Sequence, residues 1–307
     1  MATANTRVSS IGRRARGTSS GRPLTLGTQL LLQLICLFLA FTVLYPIAWV
    51  VSRSIDPSTL NRPTSLLPEG ATLDAYRAVL TQPTTNPVSF ARLALNTILL
   101  AGGVTVFAMA IAVSAAYAFS RLKFPGRAQL MLGVLGVLML PAVAGIAPLF
   151  VLLNRIVIGG FNLRNSLFGV GLAMTSGALP FAIWNLKGYL DTIPKELEEA
   201  ATIDGATRNQ TFLRIVLPLA TPVLAVTAFL VFLGGWTEFY LSWQFLTEPK
   251  NFTLSMALYN MVGQYAGQTP WSRFTAMALI IALPVAVVYL ALQKYIVGGL
   301  TVGGVKG

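Results

Sequence analysis

The sequence predicts an all-α polytopic membrane protein with six transmembrane helices. Three observations carry that reading. Charged residues are 10% of the 307-residue chain and hydrophobic ones 55%, with a mean hydropathy of +0.69, whereas a soluble domain carries about 25% charged residues. Six runs without a charge are long enough to cross a bilayer core, which takes about 20 residues. The charges lie in the connections, and the basic ones favour alternate connections.

In chain order, residues 1–22 read as a disordered basic arm, with Arg7, Arg13, Arg14, Arg16 and Arg22 set among Gly and Ser. Residues 23–307 read as one transmembrane domain, with helices at about 30–51, 93–120, 128–154, 165–186, 215–240 and 274–296. A cleaved leader is the competing reading of the first run, but its apolar core would be about 7–15 residues and this run is longer. The first outer connection, Arg53 to Phe90, is broken at Pro57, Pro63, Pro68 and Pro83, with a short helix expected over Leu73–Leu80. Residues 244–273 are uncharged over much of their length but too polar for hydrocarbon, and read as a third outer loop. Pro46, Pro141, Pro148, Pro180, Pro222 and Pro284 fall inside spans, where proline kinks a helix and frees carbonyls.

The topology follows from the basic residues. The arm, the loop after the second helix, the segment 188–214 and the tail 297–307, with Lys187 and Lys294 at the helix ends beside them, hold fourteen Lys and Arg; the other connections hold eight. The more basic side is the cytoplasmic one, which places both termini inside.

Composition excludes several classes. There is no histidine and one cysteine, Cys36, so no Ser/His/Asp set, no Cys/His set, no metal-ligand set and no intrachain disulfide can be assembled. No Gly-x-x-x-x-Gly-Lys-Ser/Thr run occurs, so the chain has no phosphate-binding loop of its own. The net charge of +12 does not mark a nucleic-acid binder, because beyond the arm the basic residues are scattered over loops. Glu238 is the one carboxylate at the end of a spanning run, about five residues inside its outer end. An intramembrane ionisable group is a functional candidate; a carboxylate used only for packing or at the interface is the plain alternative.

The most informative stretch is Glu199-Ala200-Ala201-Thr202-Ile203-Asp204-Gly205-Ala206, followed by Ile215-Val216-Leu217-Pro218. Pro194 to Asp204 reads as a short surface helix capped by Asp191 or Thr192, with Glu196, Glu198 and Glu199 near its start where carboxylates complement the dipole. Small residues at Ala200, Ala201, Gly205 and Ala206 admit a close approach, and Gly205 lets the chain turn. A solvated loop helix is the bland alternative.

This pattern, E-A-A-x-x-D-G-A then I-x-L-P, resembles the EAA motif of the membrane subunits of ATP-binding-cassette (ABC) importers. Three further stretches are similar to carbohydrate-importer permeases of the maltose/maltodextrin type: Ala116–Gly126 after the second helix, Lys187-Gly188-Tyr189-Leu190, and the tail Gly298–Gly307. The resemblance implies a type I importer permease fold in the inner membrane of a prokaryote. It implies a second permease subunit of the maltose type, two ATPase subunits and an extracellular sugar-binding protein as partners. No cofactor is expected on this chain, ATP and Mg being held by the ATPases. By the same likeness, Glu199, Ala200, Ala201, Asp204, Gly205, Ala206, Leu217 and Pro218 couple to an ATPase. Gly303, Gly304, Val305, Lys306 and Gly307 reach between the ATPases. Tyr259, Asn260, Gln264, Tyr265 and Trp271 of the outer loop face the binding protein or its sugar, though aromatic residues there also suit an interfacial belt. The cargo implied is maltose or maltodextrin, with another sugar or glycerol phosphate as the alternative within the family. A stand-alone secondary transporter is the rival outside it; the helices lack the paired ionisable groups that such a carrier needs.

Overall fold

The computed structural model describes residues 25–57, 68–262 and 269–303. The chain divides into two compact units, Met1–Ala48 and Trp49–Gly307, where the sequence predicts a single domain over 23–307. In the first unit lies most of the first helix, α1 (Leu26–Ser54), every residue of which from 26 to 48 is exposed. The basic arm 1–22 lies outside the described residues.

In the second unit, the last residues of α1 bury Ser52, Arg53 and Ser54. Arg53 pairs with Asp56, and the Ser54 hydroxyl lies 2.7 Å from that of Tyr76 on α2 (Asp74–Thr81). The longest bundle helix is α3 (Phe90–Arg121), started by Ser89, whose hydroxyl accepts the Arg92 amide. Its buried residues Leu93, Thr97, Ala101, Val104, Ala108, Ala112, Ala116 and Ser120 recur every three or four positions. They form one stripe from end to end, as a helix period of 3.6 requires.

The third run departs from expectation. Instead of one rod over 128–154 there are α4 (Arg127–Leu138), a short 3-10 turn Ala142–Gly145 and α5 (Ile146–Arg155), bent by 97°. Pro141 supplies the cause: it has no N–H to donate, its ring clashes with the preceding turn, and it drives the residue before it away from helical geometry. A two-residue hairpin, β1 (Val157–Ile158) and β2 (Phe161–Asn162), leads to α6 (Leu167–Leu190), which Ser166 caps through the Gly169 amide at 3.0 Å. Pro180 sits within α6 without ending it.

After α6 come α7 (Glu196–Ile203), α8 (Arg208–Thr211), a π turn over Phe212–Val216, α9 (Leu217–Leu219) and α10 (Thr221–Trp236). Helix α10 stops at Trp236, short of the expected 240. The described residues of 244–273 do not form an open loop. They follow and overlap α11 (Tyr240–Phe245), and carry a 3-10 turn at Pro249–Asn251 and α12 (Leu254–Asn260). Phe245, Leu246, Phe252, Leu254, Met256, Ala257 and Met261 are core residues. The segment packs because its backbone is satisfied. Asn96 donates to the carbonyls of Lys250 and Phe252 at 2.8 Å each, and the Leu254 amide donates to Thr97 at 2.9 Å. The last helix, α13 (Trp271–Gly303), outruns the expected 274–296 and takes in the first part of the expected tail.

Helices α3, α6 and α10 form the centre of the bundle. The α3–α10 crossing depends on Gly235: a methyl group there would lie 2.7 Å from the Ala101 Cα. Among the described residues, five helical stretches are long and apolar enough to cross a membrane, one of them Thr221–Phe245 across α10 and α11, and the bent α4–α5 pair makes a sixth if it counts as one span.

Candidate functional site: the Glu196–Ala206 segment and its anchor

Five residues, Asp191 to Lys195, link α6 to α7. The expected cap does not form: Lys195 occupies the N-cap position and gives no side-chain hydrogen bond. Thr192 instead donates to the Tyr189 carbonyl at 2.7 Å. Asp191 turns to the bundle, accepting from the Ser120 hydroxyl and from Lys187, each at 2.6 Å. Burial pushes the Asp191 carboxyl up. The hydrogen bonds from Lys187 and Ser120 and the charges of Lys187 and Arg121 outweigh it, holding the group below the ordinary value of 3.8.

Helix α7 is held at both ends by its sequence. Glu196, Glu198 and Glu199 lie in the first turn, where the unpaired N–H groups favour negative charge. At the other end the Ala206 amide donates to the Ala201 carbonyl at 2.9 Å and the Gly205 amide to Thr202 at 3.1 Å. That pair of bonds is the Schellman motif, with Gly205 in the left-handed conformation (φ +84°) that it needs. Thr207 then starts α8 with a capping box: its hydroxyl accepts the Gln210 amide at 3.4 Å and the Gln210 side chain accepts the Thr207 amide at 2.8 Å.

One face of α7 meets the bundle. Ala201 is buried, and Glu198 forms an ion pair with Arg121 at the end of α3. Arg121 is 7% exposed and uses all three nitrogens: Nε to Glu198, Nη1 to the Ser120 hydroxyl at 2.9 Å, Nη2 to the Ile193 carbonyl at 3.0 Å. Tyr117, one turn back on α3, donates to Glu198 at 3.3 Å and packs its ring 4.6 Å from that of Phe212. The opposite face is uncovered. Glu199, Ala200, Asp204 and Gly205 are exposed, beside Leu197 (44% exposed) and Ile203 (87% exposed). Of the two later motif residues, Leu217 is half-buried and Pro218 exposed, both in α9.

The remaining expected residues separate. Glu238 is not a free carboxylate. It takes the first-turn amides of α11, from Leu241 at 2.6 Å and Ser242 at 3.1 Å, and the Ser242 hydroxyl at 2.7 Å. Tyr259 on α12 stacks against Phe239 at 5.0 Å and meets the edge of Trp243 at 5.9 Å. Asn260 lines a cleft of about 670 Å³ with Met261, Thr81, Pro83 and Arg273. Trp271 opens α13, its ring 5.8 Å from Phe274. Gly303 ends α13; Gln264, Tyr265 and Gly304 to Gly307 lie outside the described residues. The EAA residues lie at the Arg121 end of α3, and α12 packs at its Phe90 end. The two sets are thus separated along α3 by roughly 36 Å, the rise of the 24 residues from Thr97 to Arg121. Sequence reasoning did not single out Ser120, Arg121, Asp191 or Glu198 as a group. Each pairing joins residues more than 70 positions apart, with no periodicity to reveal it.

The family described as binding-protein-dependent transport system inner membrane component matches residues 108–302. The trehalose/maltose transport system permease protein MalG of Thermococcus litoralis is 36% identical over 91% of this chain and 97% of its own. The galactooligosaccharides transport system permease protein GanQ of Bacillus subtilis is 34% identical over 89% of this chain and 94% of its own. Among solved structures, a chain of a bacterial ABC transporter that imports the acidic polysaccharide alginate superposes with a TM-score of 0.73. It is 23% identical, covering 89% of this chain and 98% of that one. The architecture is that of the type I ABC importer permeases.

Proposed function

Since the chain belongs to the family of binding-protein-dependent transport system inner membrane components, we propose that it is a permease subunit of an ATP-driven sugar importer and that its cargo is maltose or maltodextrin. It is a membrane component of a transporter rather than an enzyme. Its partners in this reading are a second permease, two ATPase subunits that hold ATP and Mg, and an extracellular sugar-binding protein. The observation that carries the reading is the uncovered face of α7. Ile203 projects from a charged helix almost fully exposed, and Leu197 is 44% exposed on the same helix. Exposed apolar side chains rimmed by charge suit a protein surface that takes a partner. An ATPase cleft closing on that face moves α7, and the spans joined to it shift the bundle between a state open to one side of the membrane and a state open to the other. ATP achieves this because the two states differ in their contacts with the ATP-bound partner.

The maltose assignment draws on the trehalose/maltose relative and on the tail resemblance. The galactooligosaccharide relative supports a second cargo. The test uses the four-part complex in vesicles with labelled maltose, maltodextrin, trehalose and a galactooligosaccharide. Uptake of the first two, dependent on ATP and the binding protein, is expected. Uptake of a galactooligosaccharide alone reassigns the cargo. In the same complex Ile203→Asp should abolish capture of the ATPase subunits without changing membrane insertion. Full capture by that variant ends the docking reading.

A further inference from the structure

We infer that Arg121 and Glu198 are positioning residues that fasten α7 to α3, so that force received by α7 enters the bundle through α3, and that the adjacent Glu198 and Glu199 do separate work. The inference rests on the proposed function, since it needs an ATPase acting on α7.

Three observations carry it. First, the two neighbouring glutamates border one cleft but are held differently. Glu198 is 15% exposed and bound to Arg121 and Tyr117, whereas Glu199 is exposed and carries no ion pair among the described residues. Consecutive helix positions differ by about 100° of rotation, so one can face the bundle while the other faces a partner. Second, the anchor is built for stiffness. The Arg121 guanidinium, 7% exposed, grips Glu198, Ser120 and the Ile193 carbonyl in three directions, and Ser120 in turn holds Asp191. A planar fork fixes orientation in a way that a lysine ammonium cannot. Third, what it fastens to is the central rod. The buried stripe of α3 runs from Leu93 to Ser120, and Arg121 is the next residue. A displacement of α7 passed to this helix reaches the Asn96–Lys250 and Thr97–Leu254 contacts at its far end. Without the pair, α7 retains its covalent links through Asp191–Lys195 and Asp204–Thr207 and the burial of Ala201.

The experiment compares the wild-type complex in vesicles with R121Q, E198Q, R121K and the reversal R121E/E198R, reading ATPase co-purification, ATP hydrolysis and sugar uptake together. R121Q and E198Q should co-purify the ATPase normally, yet uptake per ATP hydrolysed should fall by about tenfold, within the range of a coupling between two sites. R121K should remain impaired, and the reversal should recover part of the ratio. An unchanged ratio in R121Q at normal complex yield overturns the inference alone. Loss of assembly in R121Q and E198Q that the reversal does not repair also overturns it, since the pair would then hold the fold rather than link two moving parts. Should the wild-type chain take up sugar without capturing an ATPase, the proposed function fails and this inference with it.

Discussion

Gly205 shows how one residue type fixes the shape of the α7 segment. Its φ of +84° lies where a side chain costs about 1–2 kcal/mol, and the Schellman bonds of Ala206 and Gly205 depend on that turn. A Cβ added there meets nothing within 4 Å, so within this chain the constraint is backbone geometry and not space. The two kinds of constraint separate in mutants. Gly205→Asn, which tolerates the left-handed region, should retain at least half of wild-type uptake, whereas Gly205→Val should lower it several-fold by unwinding the end of α7. Equal loss in both would shift the explanation to a partner packed against the glycine. Uptake and ATPase pull-down on the two variants decide this. The role of Gly205 as a turn was legible in the sequence, because a glycine closing a short run of helix formers has few other uses. The destination of Glu198 was not. Two adjacent glutamates look alike in a sequence, and only the packing of α3 against the connection after α6 tells them apart.

Among the elements, legibility followed the length of the apolar run. The charge-free runs predict α1, α3, α6 and α13 within a few residues at most ends, since a charge-free run of twenty or more residues has one good use. The misreadings came where proline or hydrogen bonding overrides composition. The α4–α5 pair breaks near Pro141 although the run is apolar throughout. The 244–273 segment is too polar for hydrocarbon and reads as an outer loop, yet Asn96 and Thr97 on α3 pair with its backbone and allow Leu254, Met256 and Ala257 to enter the core. The same logic makes the α3–α10 crossing sensitive. Small residues let helix backbones approach, and at Gly235 there is no room for even a methyl group against Ala101. Gly235→Leu should therefore force the two helices apart at a cost of about 1–3 kcal/mol. The readout is thermal unfolding of the purified chain in detergent: a lower midpoint is expected, with Gly234→Leu, whose Cβ position is open, as the neighbouring control. Equal midpoints for the two variants would mean that the crossing is looser than this geometry requires.

The whole molecule works as a transmitter only if its two ends lie on opposite sides of the membrane in the right order. Helix α3 carries the α7 anchor at Arg121 and the α12 contacts at Asn96 and Thr97. An ATPase needs the first end in the cytoplasm, and an extracellular binding protein needs the second outside. The fourteen-to-eight division of Lys and Arg favours this orientation, but part of the excess lies in the arm before residue 23, so the bundle itself contributes a weaker bias. A labelling experiment tests it directly. In a Cys36→Ser background, a cysteine at exposed Thr85 should react with a membrane-impermeant maleimide in intact spheroplasts. One at exposed Asn209 should react only after permeabilisation. The opposite pattern would put α7 outside the cell, beyond reach of ATP, and the uncovered face of that helix would then need a different occupant. The expected pattern leaves the cytoplasm as the side from which α7 is driven, and makes the Arg121 anchor the first joint that the force meets inside the bundle.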